Sequence, residues 1–230
     1  APRNPQSTVT GGLNGGAVTD TANKICFPVA SLKGVIQVFP VLRILLIMLA
    51  FASSAMATET VRIAAASNLV FVMDALQAAF RTESSNIKLE VVFGSSGNLV
   101  AQITHGAPYD IFLSADMEYP KALINSGLAD ADSLIAFAGG RLALWTRRDN
   151  LNLTDIKAAL QDPTIRKLAI ANITAAPYGR AARQTLESLG LWNELQSKLV
   201  LGENISQTAQ FIDSGNADAG LVALSLVLSP

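Results

Sequence analysis

From Val61 onward the apolar residues switch repeatedly between a period of two and a period near 3.6. That alternation constrains the chain more than any other feature, because strand-like and helix-like stretches in turn build an α/β protein. Val61 and Ile63 lead into Ala64-Ala65-Ala66 as a buried strand, and Leu69, Val72, Met73, Leu76 and Phe80 follow at helical spacing. Ile87, Leu89, Val91 and Phe93 form a second strand, and Leu99 and Ile103 mark a short helix that Gly106 ends. Ile111-Phe112-Leu113 is a third strand, and the spacing predicts a helix from Ala115 to Ser126, closed by Gly127. Gly139-Gly140 reads as a hinge-like pause before a strand over Arg141–Thr146. Thr154 is the expected cap of a helix through Leu160, and Leu168–Ala171 is a strand. Pro177 opens a helix that ends at Leu189-Gly190. A helix over about Ser206–Ser214 and a strand over Ala219–Leu224 complete the pattern.

The segment before Thr58 reads differently. Arg43 precedes the apolar run Ile44–Ala52, which is shorter than the roughly 20 residues a membrane-spanning helix needs. Ser53-Ser54-Ala55-Met56-Ala57 follows with a small-residue exit, so 41–57 reads as a cleaved secretory signal peptide. Residues 1–40 lack any helical or strand period and read as a leader of doubtful origin, an upstream translation artefact. The only cysteine, Cys26, lies there, which leaves the mature chain without a disulfide. At the other end, Ser229-Pro230 closely follows a strand with no helix to cover its edge. The C-terminal part is therefore expected to be truncated.

Composition narrows the function. A formal net charge of −1 and 15% charged residues give no electrostatic footprint for nucleic acid, and 50% apolar residues exclude disorder. One histidine, His105, and one cysteine are too few for a structural zinc site. Asp130-Ala131-Asp132 begins like a calcium loop, but nothing downstream completes it. Gly94–Asn98 fails the G-x-S-x-G pattern, so no catalytic constellation and no cofactor site emerge.

What recurs is a strand, then small polar residues, then a helix. Ala66-Ser67-Asn68-Leu69 is one such junction and Gly94-Ser95-Ser96-Gly97-Asn98 another. Free backbone N–H groups and the positive end of the helix dipole meet there, and an anion can be held without a charged side chain. A serine at such a place also commonly serves only its own helix. From the residues alone both readings stand. Ala175-Ala176-Pro177-Tyr178-Gly179 and Glu203-Asn204-Ile205-Ser206 are further candidate junctions.

Three motifs, Ile63–Leu69, Phe93–Leu99 and Gly106–Asp116, followed by Ala-Pro-Tyr-Gly-Arg-Ala over 176–181, closely resemble the periplasmic molybdate-binding proteins of ABC importers, the ModA family. The resemblance runs from about Glu59 to the end. It implies a two-lobed periplasmic-binding-protein fold of type II, with lobe 1 over 58–139, lobe 2 over 140–221, and residues 222–230 starting a return to lobe 1. It implies no enzyme activity and no bare metal ion, but a molybdate or tungstate oxyanion held between the lobes. Ser67 and Ser96 match the family's serine ligands, with Asn68 beside the first. Tyr178 falls where the family offers a backbone N–H and in some members a hydroxyl, and Ile205 where a backbone N–H, usually valine's, donates. Ala223 stands where some members have a late tyrosine, a contact Tyr178 would have to replace. The implied partner is the membrane permease of an ABC importer, and the implied state a periplasmic monomer. The alternatives are the same fold taking sulfate or ferric ion, or an effector-sensing domain of a regulator.

Overall fold

The computed structural model describes residues 59–228; the leader, the signal peptide and Cys26 lie outside them. β1 (Glu59–Ala66) is the central strand of a three-stranded sheet, flanked by β2 (Ile87–Gly94) and β3 (Ile111–Leu113), both parallel to it. Parallel neighbours need crossovers, and helices provide them. A 3-10 turn over Ser67–Leu69 and α1 (Val70–Glu83) join β1 to β2, and α2 (Ser96–Thr104) joins β2 to β3. The central place of β1 explains Ala64–Ala66, which are buried because small side chains let helices close over both faces. Ile63, Ala65 and Met73 form the core of this lobe.

α3 (Glu118–Asn125) starts later than the spacing predicts. Ser114 Oγ accepts from the Asp116 N–H at 3.3 Å and Asp116 Oδ1 from the Tyr119 N–H at 3.2 Å. These side chains hold residues 114–117 in a turn and delay the helix.

The second sheet has the order β4-β7-β5-β6, comprising β4 (Leu142–Trp145), β5 (Leu168–Ala171), β6 (Leu199–Gly202) and β7 (Ala219–Ala223). β4 runs antiparallel to β7, and β5 is parallel to β6 and β7. β5 is buried on both faces and shows what its short apolar run encodes. Leu168 and Ile170 pack with Leu160, Ile165, Leu186 and Leu195 on one side. Ala169 and Ala171 pack with Ile205, Ile212 and Val222 on the other. The covering helices are α4 (Ile156–Leu160), α5 (Pro177–Ser188), α6 (Trp192–Leu195) and α7 (Ile205–Asp213).

Two further expectations are corrected here. Asp155, not Thr154, caps α4: its carboxylate accepts from the Lys157 and Ala158 N–H groups, while Thr154 is bound to Asn152 Oδ1. β7 ends at Ala223, and Leu224–Val227 forms α8. β7 is moreover an interior strand between β4 and β5, so it presents no uncovered edge.

Candidate functional site

Four chain segments begin a helical turn after the carboxyl end of a strand, and hydrogen bonds between the lobes join them in pairs, the turn after β1 with α7 and α2 with the loop before α5. The first is the 3-10 turn after β1. Its cap, Ala66, has no side chain that accepts from the turn, and Ser67 is buried. The Ser67 hydroxyl oxygen accepts from the backbone N–H of Ser206 at 3.4 Å, which joins this turn to the start of α7 across the lobes.

The second is α2. Ser96 is fully buried and its Oγ accepts from the Ala115 N–H at 3.0 Å. With the oxygen so engaged, the hydroxyl proton is left to donate elsewhere. The Gly97 N–H crosses to the other lobe and donates to the Ala175 carbonyl at 2.8 Å. A Cβ on Gly97 would stand 2.5 Å from the Tyr119 hydroxyl and 2.7 Å from the Ala175 oxygen, so only glycine allows this approach.

The third start is α5. Asn172 Oδ1 accepts from the Thr174 and Ala175 N–H groups and shapes the loop before it. Pro177 has no N–H, and the Gly179 and Arg180 N–H groups both go to the Ala176 carbonyl. Tyr178 thus carries the first N–H of this helix end, where no side chain caps the turn. Gly179 lets the helix sit on β5, since a Cβ there would be 2.2 Å from the Asn172 oxygen.

At α7, the fourth, Asn204 is the cap and accepts from the N–H groups of Ser206 and Gln207 at 3.0 Å each. That use selects Ile205 as the residue whose N–H is not taken by the cap. Ile205 itself is buried.

The arrangement brings the buried Ser67 and Ser96 hydroxyls of one lobe opposite the helix starts of α5 and α7 in the other. Such a cradle suits an anion stripped of its water shell, because hydrogen bonds to a charged group contribute about 1.5–3 kcal/mol each. The dipoles of the longer helices add to the same sign of potential.

Asn68 adjoins Ser67, but its carbonyl accepts from Ser225 Oγ at 2.9 Å and its side-chain oxygen is buried with no partner. The Tyr178 phenol turns away to Gly140: a Cβ on Gly140 would lie 2.5 Å from its hydroxyl. Burial raises the Tyr178 phenol above its ordinary pKa, so it stays protonated. Ala223 is buried in the core beneath α7. His105 ends α2 far from Ser96, its Nδ1 2.7 Å from the Ala101 carbonyl. A cavity of about 1320 Å³ passes Asn68 and Tyr178, but its walls are chiefly apolar, with Val72, Leu76, Ile111, Leu123, Ile135 and Phe137. Those apolar side chains offer an anion no hydrogen bonds, although Ser114, Arg141 and Ser225 also line the cavity. Among the described residues no cluster of histidine, cysteine, aspartate or glutamate is arranged to hold a metal ion.

Nothing local in the sequence marks the neighbours that fix this geometry. The Ser67–Ser206, Gly97–Ala175 and Ser96–Ala115 bonds join distant residues. Asn204 alone, an asparagine directly before a helix, signals its role locally.

Residues 61–230 match the family described as bacterial extracellular solute-binding protein. The molybdate-binding protein ModA of Azotobacter vinelandii is 39% identical over 176 residues, covering 76% of this chain and 69% of that protein. That of Rhodobacter capsulatus is 40% identical over 150 residues, covering 65% and 59%. The solved periplasmic molybdate-binding protein of Azotobacter vinelandii superposes with a TM-score of 0.68 at 35% identity, covering 71% of each chain. The chain belongs to the ModA family of bacterial extracellular solute-binding proteins.

Proposed function

We propose that this protein is a periplasmic receptor that binds molybdate or tungstate between its lobes and delivers it to the permease of an ABC importer. The observation that carries the reading is the meeting of helix starts from both lobes, marked by the 3.4 Å bond from Ser206 N–H to Ser67 Oγ. Ser67 and Ser96 supply hydroxyls from lobe 1, and Tyr178 and Ile205 supply backbone N–H groups from lobe 2. Asn68 supplies its backbone N–H beside Ser67. The relatives named for molybdate share this stretch of chain, which supports the choice of ion. A shell of helix ends has little freedom to contract, so it favours the larger oxyanions over sulfate. Binding to both lobes at once stabilises the closed form, which is the form an importer would recognise.

Ferric ion is the weaker ligand on these side chains. The Tyr109 hydroxyl donates to Gln102 at 2.8 Å, the Tyr119 hydroxyl to the Thr174 carbonyl at 3.2 Å, and Tyr178 faces Gly140. No phenol set is left to gather around one cation.

The test is thermal melting with molybdate, tungstate, sulfate or phosphate. Ligand at about a thousand times its dissociation constant adds about 4 kcal/mol, which raises the melting temperature by roughly 8–16 °C for a domain of this size. A rise with molybdate or tungstate that exceeds the rise with sulfate is expected. No rise with either refutes the reading, and a larger rise with sulfate replaces the ligand.

A further inference from the structure

We propose that Arg180 is a positioning residue that clamps the lobes together and sets how slowly the bound anion is released. Arg180 lies in the first turn of α5, two residues after Tyr178. Its guanidinium reaches across to lobe 1, where it pairs with Asp116 Oδ2, approaches Glu118 at 3.4 Å and donates to the Tyr119 hydroxyl at 3.0 Å. It also stacks over the Tyr119 ring, 4.9 Å from the centroid.

The receiving side is built in advance. Asp116 Oδ1 accepts from Ser114 Oγ and from the Tyr119 N–H, which leaves Oδ2 aimed at Arg180. The Tyr119 hydroxyl accepts from Arg180 and donates back across the lobes to the Thr174 and Ala175 carbonyls at 3.2 and 3.4 Å. Ala175 in turn receives the Gly97 N–H. The contact is thus one network, continuous from the start of α2 through Tyr119 to the start of α5.

Isolated surface ion pairs contribute little, but this one is partly enclosed: the Arg180 and Asp116 side chains are 29% and 19% exposed. Its members belong to opposite lobes, so the Arg180 contacts with Asp116, Glu118 and Tyr119 and the Tyr119 bonds to Thr174 and Ala175 break when the lobes part. Two carboxylates neutralise the guanidinium, so it acts on the lobes and adds no net positive charge to the anion cradle. Removing a contact made only in the closed form speeds opening and leaves encounter with the open form unchanged.

The proposal rests on the cleft being an anion site, and the experiment separates the two. Labelled molybdate is bound to the wild type and to Arg180→Met, then chased with unlabelled molybdate. Arg180→Met is expected to release label about 10- to 100-fold faster, with an association rate within about threefold of wild type. Arg180→Lys, which keeps the charge but loses the fork, is expected to fall between. Asp116→Asn added to Arg180→Met should bring little further change, because both act on one contact. A release rate within about twofold of wild type, or a loss confined to association, overturns the clamp.

Small-angle scattering without ligand gives an independent readout, in which Arg180→Met should be more expanded than wild type. Equal dimensions overturn the clamp. Expansion in a protein whose wild type retains no molybdate upholds the clamp and refutes the anion reading. If Arg180→Met does not fold, Asp116→Asn and Tyr119→Phe remove the same contacts from lobe 1 and are read in the same two ways.

Discussion

Replacing Ser96 with alanine separates the structural duty of one buried hydroxyl from the ligand-binding duty proposed for it. Its oxygen accepts the Ala115 N–H at 3.0 Å, in a fully buried position. Alanine leaves that N–H without its acceptor, which costs about 1–2 kcal/mol. For a domain with a urea slope of about 2 kcal/mol/M this lowers the midpoint by roughly 0.5–1 M. The second duty appears only with ligand. One donor to a charged oxygen is lost, at about 1.5–3 kcal/mol, so affinity for molybdate falls roughly 10- to 150-fold. Urea unfolding without ligand, followed by tryptophan fluorescence, reads the first effect, and titration calorimetry with molybdate reads the second. Ser95 is the internal control, since its hydroxyl is buried with no partner. Ser95→Ala should leave affinity unchanged and stability equal or higher. If Ser96→Ala loses stability but binds molybdate within about twofold of wild type, the hydroxyl only braces the turn after β3 and the cradle is misassigned. If Ser95→Ala is the variant that loses binding, the ligand role passes to the neighbouring serine.

Other substitutions probe the surroundings. Gly179→Ala places a methyl 2.2 Å from the Asn172 carbonyl oxygen. Backbone must move to relieve it, so stability should fall by about 1–3 kcal/mol by urea unfolding, with weaker molybdate binding as the Tyr178 N–H is displaced. Tyr178→Phe should keep affinity within about twofold by calorimetry, because the phenol faces Gly140 and the donor is the backbone. Asp218 accepts the Arg166 and Lys167 N–H groups and pairs with Arg148. Burial pushes its carboxyl up, but those two N–H groups and the Arg148 charge outweigh it, and the net shift is downward. A carboxyl whose folded pKa lies below its unfolded one gives stability that is complete above the unfolded range and lost as pH falls through the folded value. Asp218→Asn should therefore cost about 2 kcal/mol near neutral pH, and the gap in urea midpoint should narrow as acid protonates Asp218 in the folded protein.

How much of this was legible depends on how local each signal is. β1, β2 and the turns after them could be read because small residues interrupt clean periods at Ser67 and at Gly94–Gly97. β5 could be read as a buried strand because four consecutive small or branched apolar residues are too short for a helix. β6 gives no alternation in Leu199–Gly202 and was missed, and with it the strand that presents Asn204 and Ile205. Leu221–Val227 is nearly all apolar, so nothing local marks the change from β7 to α8 at Ala223. Thr154 and Asp155 are both good caps, and only the side-chain pull of Asn152 on Thr154 decides between them. The serines stand out at the strand-to-helix junctions, yet the caps are Ala66 and Ser95, and what the Ser67 and Ser96 hydroxyls do depends on partners such as Ser206 and Ala115. Those pairings exist only once the fold has formed. Arg180 and Asp116, 64 positions apart, carry no sequence signal of their meeting at all.

Donors split between two lobes make affinity and closure one quantity. If the closed form is a fraction f of the ligand-free population, the apparent dissociation constant is the intrinsic one divided by f. Every contact across the lobes that does not touch the anion raises f and so tightens binding without altering selectivity. Gly97–Ala175 and the Arg180 network are of this kind. The same contacts must be broken when the anion is handed on, so each factor gained in retention is a factor the importer must overcome. Selectivity, by contrast, depends on the spacing of the groups that touch the anion, which the proposed cradle places at Ser67, Ser96, Tyr178 and Ile205. Substitutions at Arg180 should therefore move molybdate and tungstate affinities by the same factor, whereas substitutions at Ser67 or Ser96 should move them by different ones. Calorimetry with both ions on both classes of variant reads the difference. Unequal shifts at Arg180 would place it in the cradle and end its assignment as a clamp.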